Sequence, residues 1–368
     1  MMDIERARTM IAGEGREKAE GLRMLRNAAN QGDVQATVEL GILYMQGNHV
    51  DQNTEEAAKW FNKAVLKDDP EAQYCLGMLH EYGDGVKQDL ERALDLYTKA
   101  AERNHPGALF MRAMFLEEGI SCEADVPEAM RCYEEAGLRG NPDAMYYMGV
   151  FTQHGMNGKT VNPLEAIEWY CRAAERGHPE AQYALGAIYE DGEGVDKDIK
   201  RAVKWYSVAA KGGSARAQCA LGFMYDNGVG LTQDSEKAFE LYLMAANQGN
   251  DVGQFNVGDA YLNGVGVEKD ESEAFKWFAL SANQDNMLAM CNVGYMLQHG
   301  IGTGRKESEA VKWYSRGSDA GSELCTFNLA AMYEGGIGVE KDLSKAKELY
   351  LKAAEMGMKD AKERAERL

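Results

Sequence analysis

The chain has 368 residues, with 59 Asp and Glu against 40 Lys and Arg, for a net charge of −19. That balance speaks against a nucleic-acid partner, where affinity rests on neutralising phosphates with Lys and Arg, and leaves a basic protein partner open. No run approaches the ~18 apolar residues of a membrane helix, and the charged start MMDIERARTM lacks the apolar stretch of a signal peptide.

The predicted elements follow one repeated frame. The second residue of a Leu-Gly-like step, taken as position 0, falls at Gly41, Gly77, Ala113, Gly149, Gly186, Gly222, Gly258, Gly294 and Ala330. Successive spacings are 36 residues, except 37 between Gly149 and Gly186. A period in this range is the signature of stacked repeats. Before the first full unit, residues 1–32 read as a degenerate capping unit. Ala7 stands at position 0, Gly13 at +6, the loop is two residues short, and AANQG closes the second helix. Nine units then fill 33–357. Residues 358–368, MKDAKERAERL, begin one more helix with Ala361 in frame and read as a C-terminal cap facing solvent.

Each unit reads as two antiparallel helices, A and B. Small residues at position 0 and Ala at +16, such as Ala93 and Ala202, predict close helix approach, and an aromatic follows at +20, from Phe61 to Tyr350. Gly at +6 predicts a left-handed cap at the end of helix A. The acids Asp89, Asp125, Asp198, Asp234, Asp270 and Asp342 at +12 predict N-caps for helix B. The stretch AQYALGAIYEDGEGVDKD contains a Gly-x-Gly that returns six times in frame. It follows a helix C-terminus, where the dipole repels phosphate, and its acids lack the spacing of a calcium loop. It is punctuation.

Seven cysteines at irregular spacings, without a Cys-x-x-Cys, read as free thiols packed between helices, hence a reducing, cytoplasmic compartment. The six histidines form no His-Glu-x-x-His and no nucleophile elbow. No catalytic residue, metal ligand or cofactor site is expected.

The pattern A-x-Y-x-L-G-x-x-Y-x-x-G-x-G-V-x-x-D-x-x-x-A-x-x-W-Y-x-x-A-A-x-x-G, carried almost position for position by residues 181–213, resembles the Sel-one-like repeat (SLR) family, relatives of the tetratricopeptide repeats. The resemblance covers essentially the whole chain. It implies an all-α fold: a single right-handed α-solenoid of about ten helix pairs plus a C-terminal capping helix. It also implies a non-enzymatic adaptor that binds a protein or peptide segment, with no membrane insertion. One secreted branch of the family is associated with penicillin binding and β-lactam hydrolysis, and each of its units carries a Cys pair tying helix A to helix B. Such pairs are missing here. A purely architectural or dimerisation role is the third reading.

At ~100° per residue, positions −6, −3, −2, +1, +4 and +5 of helix A share an arc beside the buried face, the arc that would line a concave groove. At −2, Asn256, Asn292 and Asn328 form an amide ladder able to grip a peptide backbone. Asn227 and Asn263 at +5 extend the polar stripe. Phe223 and Tyr295 at +1 are contact residues, with Asp259 at the same position between them. Phe255 and Phe327 at −3 read as packing between units. The +4 acids, among them Glu190 and Asp226, either bond the next unit's turn or make the groove negative enough to steer a basic segment.

Overall fold

The computed structural model describes residues 4–368. Those residues form 21 helices and no strand. The chain falls into two compact units, one ending at His178 and one beginning at Pro179. Unit one opens with α1 (Ile4–Ile11) and α2 (Gly15–Asn30). Four A–B pairs follow: α3 (Val34–Gln46) with α4 (Thr54–Val65), α5 (Pro70–Tyr82) with α6 (Leu90–Glu102), α7 (Pro106–Glu118) with α8 (Val126–Leu138), and α9 (Pro142–His154) with α10 (Pro163–Glu175). Unit two holds five: α11 (Pro179–Asp191) with α12 (Ile199–Lys211), α13 (Ala215–Asn227) with α14 (Ser235–Asn247), α15 (Asp251–Asn263) with α16 (Glu271–Asn283), α17 (Met287–His299) with α18 (Glu307–Asp319), and α19 (Glu323–Gly335) with α20 (Leu343–Glu355). It closes with α21 (Lys359–Arg367). Each unit is a stack of antiparallel helix pairs, the architecture of an α-solenoid.

Local chemistry sets the helix ends. Asp89 accepts from the Arg92 N–H at 2.9 Å to start α6, and Asp125, Asp198, Asp234, Asp270 and Asp342 start α8, α12, α14, α16 and α20 in the same way. Such a cap contributes about 1 kcal/mol. Lys306 takes this place before α18 and makes no side-chain cap. At +6, Gly228 ends α13 with φ of 66°, its N–H bonded to the Met224 carbonyl. The second glycine of the Gly-x-Gly has a different task in four copies, whereas Gly230 faces the Ile199 side chain. Gly266 also has positive φ, and a Cβ there would lie 2.0 Å from the carbonyl oxygen of Ser235, at the start of the preceding helix B. Gly85, Gly302 and Gly338 press on Thr54, Glu271 and Glu307 alike. Where +8 is not glycine, His49, Ser121 and Asn157 hold the same left-handed backbone.

Position 0 lies against the +20 ring. A Cβ on Gly222 would stand 2.7 Å from the Tyr242 ring, and one on Gly186 2.5 Å from Tyr206. The small residue expected to bring helix backbones together instead seats an aromatic ring of helix B against helix A. Those rings, Tyr97, Tyr206 and Phe278 among them, are fully buried and centre the core of each pair. In the N-terminal pair the shortened loop moves the close approach to Gly21, where a Cβ would sit 2.8 Å from the Ala7 carbonyl. In α21, Ala361 and Ala365 are buried while Arg364 reaches Glu334 at 3.2 Å.

The expectation that all cysteines are free is corrected at one pair. Cys291 of α17 and Cys325 of α19 form a disulfide, while Cys75, Cys122, Cys132, Cys171 and Cys219 are free thiols. Space for it comes from Gly317 of α18, where a Cβ would stand 2.4 Å from the Cys325 sulfur. At that place in helix B most units carry Ala, as in Ala209 and Ala245, facing Ala or Gly on the next helix A. Glycine and cysteine here exchange the volume of two alanines. The pairing removes the cysteine argument for a reducing compartment.

Candidate protein-binding surface

The +4 acids turn inward. Glu190 accepts from the Tyr206 hydroxyl at 2.7 Å, and Glu81, Glu117 and Glu334 accept from Tyr97, Tyr133 and Tyr350 at 2.6, 2.7 and 2.6 Å. Each bond joins helix A to helix B of its own pair, rather than to the next turn as expected; only Glu117 adds a turn contact, from Asn157 at 2.6 Å. Burial, then the hydrogen bond to the carboxylate, drives each of these phenol pKa values up. The carboxylates are thereby given a reason to stand at helix C-termini. Asp226, one methylene shorter, accepts from Ser235 at 3.0 Å instead.

The −3 aromatics also belong to their own pairs. Phe255 lies 5.5 Å from Phe278 and Phe327 5.1 Å from Tyr350, ring centre to ring centre.

What remains outside is a stripe on the A helices of unit two. Asn256, Asn292 and Asn328 are half-buried, and their side chains make no hydrogen bond among the described residues. Phe223 is 53% exposed and Tyr295 50%, the latter's ring 4.4 Å from that of His299 one turn later and tilted to it by 49°. Asn227 donates to the Phe223 carbonyl at 2.9 Å, and Asn263 to the Asp259 side chain at 3.0 Å. These two amides cover their own helix ends. A further row was not singled out from the sequence: at −6, Val252, Leu288 and Leu324 are exposed, Leu288 by 59%. Positions −6, −2, +1 and +5 fall one turn apart on one helix face. On α15 and α17 the face therefore reads apolar, amide, then acid or aromatic, then polar, while α13 begins with Arg216 and Ala220 and α19 ends with Ala331 and Gly335. The signal was available, since units before Val252 carry polar, charged or glycine residues at −6.

Asp226, Asn256 and Asp259 come together around one small cavity, whereas Glu190 lies apart with Tyr206. Two of the six histidines have structural roles. His105 caps α7 by accepting from the Ala108 N–H at 3.1 Å and faces Glu71 at 3.0 Å. His178 lies against Tyr146 at 4.8 Å and Asp143 at 3.3 Å. Among the described residues no group of three His, Cys, Asp or Glu could hold a metal ion. No described helix is long and apolar enough to cross a membrane.

The profile described as Sel1 repeat matches residues 34–69, 70–105, 106–141, 142–178, 179–214, 215–250, 252–286, 288–322 and 324–358. The chain belongs to the Sel1 repeat family. It is similar to the crystal structure of a protective antigen present in uropathogenic Escherichia coli strains, which displays an SLR fold: 30% identity, TM-score 0.72, 97% of this chain and 77% of that one. It is also similar to a Sel1 repeat protein from Oxalobacter formigenes, at 32% identity and TM-score 0.56, over 78% of this chain and 83% of that one. No curated protein matches. Sel1 repeats typically mediate protein–protein interaction. The disulfide joins the A helices of two successive Sel1 repeats, not helix A to helix B within one repeat.

Proposed function

We propose that this Sel1 repeat protein is a non-enzymatic adaptor that binds an extended protein segment across the exposed faces of α13, α15, α17 and α19. The observation that supports this reading is the row of half-buried, unbonded amides Asn256, Asn292 and Asn328, flanked by exposed Val252, Leu288, Leu324, Phe223 and Tyr295. An amide offers both donor and acceptor, so one per repeat matches the backbone of an extended peptide whatever its side chains. The apolar and aromatic rows supply area on either side. The net charge of −19 favours a basic segment.

The test uses a displayed library of random dodecapeptides against the full chain. Selected peptides are then measured against the Asn256→Ala, Asn292→Ala, Asn328→Ala triple variant at fixed salt. One or two bonds per repeat, each about 0.5–1.5 kcal/mol net, give a weakening of about 2–4 kcal/mol if they add. Unchanged affinity with intact helical circular dichroism would discard the ladder.

A further inference from the structure

Unit two contains a cavity of about 90 Å³ lined by Asp226, Ser235, Phe239, Tyr242, Asn256 and Asp259, among others. Its chemistry departs from the repeat. Elsewhere a +20 tyrosine gives its proton to a Glu at +4, or to a Gln, as Tyr170 does to Gln153 and Tyr314 to Gln298. Asp226 instead accepts from Ser235. The Tyr242 hydroxyl is left without a hydrogen-bond partner among the described residues, although Tyr242 is only 6% exposed and lines the cavity. Its ring is held in the core while the hydroxyl opens onto the cavity, free to bond whatever enters. The second departure is Asp259, at the cavity's exposed rim, where neighbouring repeats carry Phe223 and Tyr295. Burial and the nearby Asp226 charge push its pKa up, against the bond from Asn263. Two carboxylates facing one small space oppose each other until a cation enters.

The geometry points to the ammonium group of a lysine side chain, carried by the bound segment, as the occupant of this cavity. An ammonium has three donors and no acceptor. The cavity offers acceptors on Asp226, Asp259, the Tyr242 oxygen and the Asn256 amide, with the Phe239 ring beside the methylene chain. Calcium, which takes six to eight oxygens, is a poorer match to two carboxylates of which each already accepts a hydrogen bond. This inference rests on the segment-binding reading above and names the residue that the segment would anchor.

The experiment compares three degenerate dodecapeptide pools on the immobilised full chain, identical except for a fixed central lysine, norleucine or arginine. In parallel, N-acetyl-lysine methylamide and its norleucine counterpart are followed by saturation-transfer NMR. The lysine pool should be retained at least tenfold over norleucine, and Asp259→Asn should bring that ratio close to one with circular dichroism unchanged. Equal retention of lysine and norleucine pools overturns the lysine assignment and leaves segment binding standing. Stronger retention of arginine overturns the choice of an ammonium. If no pool is retained but the lysine amide shows transfer that Asp259→Asn abolishes, the cavity assignment holds and segment binding falls. Silence in every arm overturns both.

Discussion

The hydroxyl of Tyr206 donates a 2.7 Å hydrogen bond to Glu190, sixteen residues earlier, and so fastens helix B to the C-terminal turn of helix A. The chain carries its own control for this contact. Where +20 is phenylalanine, at Phe61 and Phe278, the +4 residue is Met45 or Leu262. The pair changes as a unit, polar with polar and apolar with apolar.

Glu190→Leu alone should therefore cost about 1–3 kcal/mol, because it strands a buried phenol. Tyr206→Phe alone should cost about 0.5–1.5 kcal/mol. The double variant, which reproduces the Leu262–Phe278 pair, should be more stable than the sum of the two single losses predicts. Urea unfolding of all four proteins measures the coupling. Strict additivity would show the bond contributes nothing specific.

Glycines at two repeat positions should fail for different reasons. Gly222 faces the Tyr242 ring, and the family frame here already accepts alanine at Ala113 and Ala330. Gly222→Ala should be mild, while Gly222→Leu overpacks the ring and should cost at least ~1–3 kcal/mol. Gly266→Ala adds a clash with Ser235 to the left-handed backbone, whereas Gly249→Ala, with φ of 85° and open space around it, meets the backbone term of ~1–2 kcal/mol only. Thermal midpoints should rank Gly266→Ala below Gly249→Ala.

The Cys291–Cys325 bond predicts a thiol count. Denatured without reductant, the chain should expose five thiols, and seven after reduction. Closing a loop of 34 residues constrains the unfolded chain by about 3–4 kcal/mol in the chain-entropy account. The Cys291→Ser, Cys325→Ser variant should lower the melting temperature of the oxidised protein and leave that of the reduced protein nearly unchanged. Seven reactive thiols before reduction would refute the pairing.

At acid pH the Glu71–His105 contact should be visible. The hydrogen bond from His105 holds the Glu71 carboxyl below its ordinary 4.5, against the opposing effect of burial. A depressed carboxylate stabilises the folded state fully above its unfolded pKa, and that contribution is lost as pH falls through the lower folded value. Glu71→Gln should thus lose less stability than the parent between about pH 5 and 3. Parallel pH profiles for the two proteins would remove the contact from the account.

The helix pairs, their glycine ends and their aspartate caps were legible in the sequence because each depends on residues a few positions apart. Contacts across the pair were not, although the clues were present. The period marked Gly222 as small without showing that the Tyr242 ring is what lies on it. The joint change of +4 and +20 pointed to the Tyr–Glu bond, yet the acids alone suggested a turn contact. Cys291 and Cys325 occupy different repeat positions, −3 and −5, so comparison in frame separated them. Gly317, standing where most repeats have alanine, was the trace of their bond. Helical geometry set the half-buried amides Asn256, Asn292 and Asn328 beside the buried face, while the apolar row at Val252, Leu288 and Leu324 needed the observed exposures.

The glycine at +8 sets where this protein could accept new sequence. Where it presses on the preceding helix B, any lengthening of the loop must lift that contact, so those seams are closed to insertion. The loop after α9 has no such glycine at +8. It carries Asn157, which touches its neighbour by a side chain, and then Gly158, around which there is open space. It is also where the single 37-residue spacing occurs. This loop is one residue longer than the others of the frame, which makes the bond between Gly158 and Lys159 a natural splice point for a reporter or tether, far along the sequence from the amide stripe.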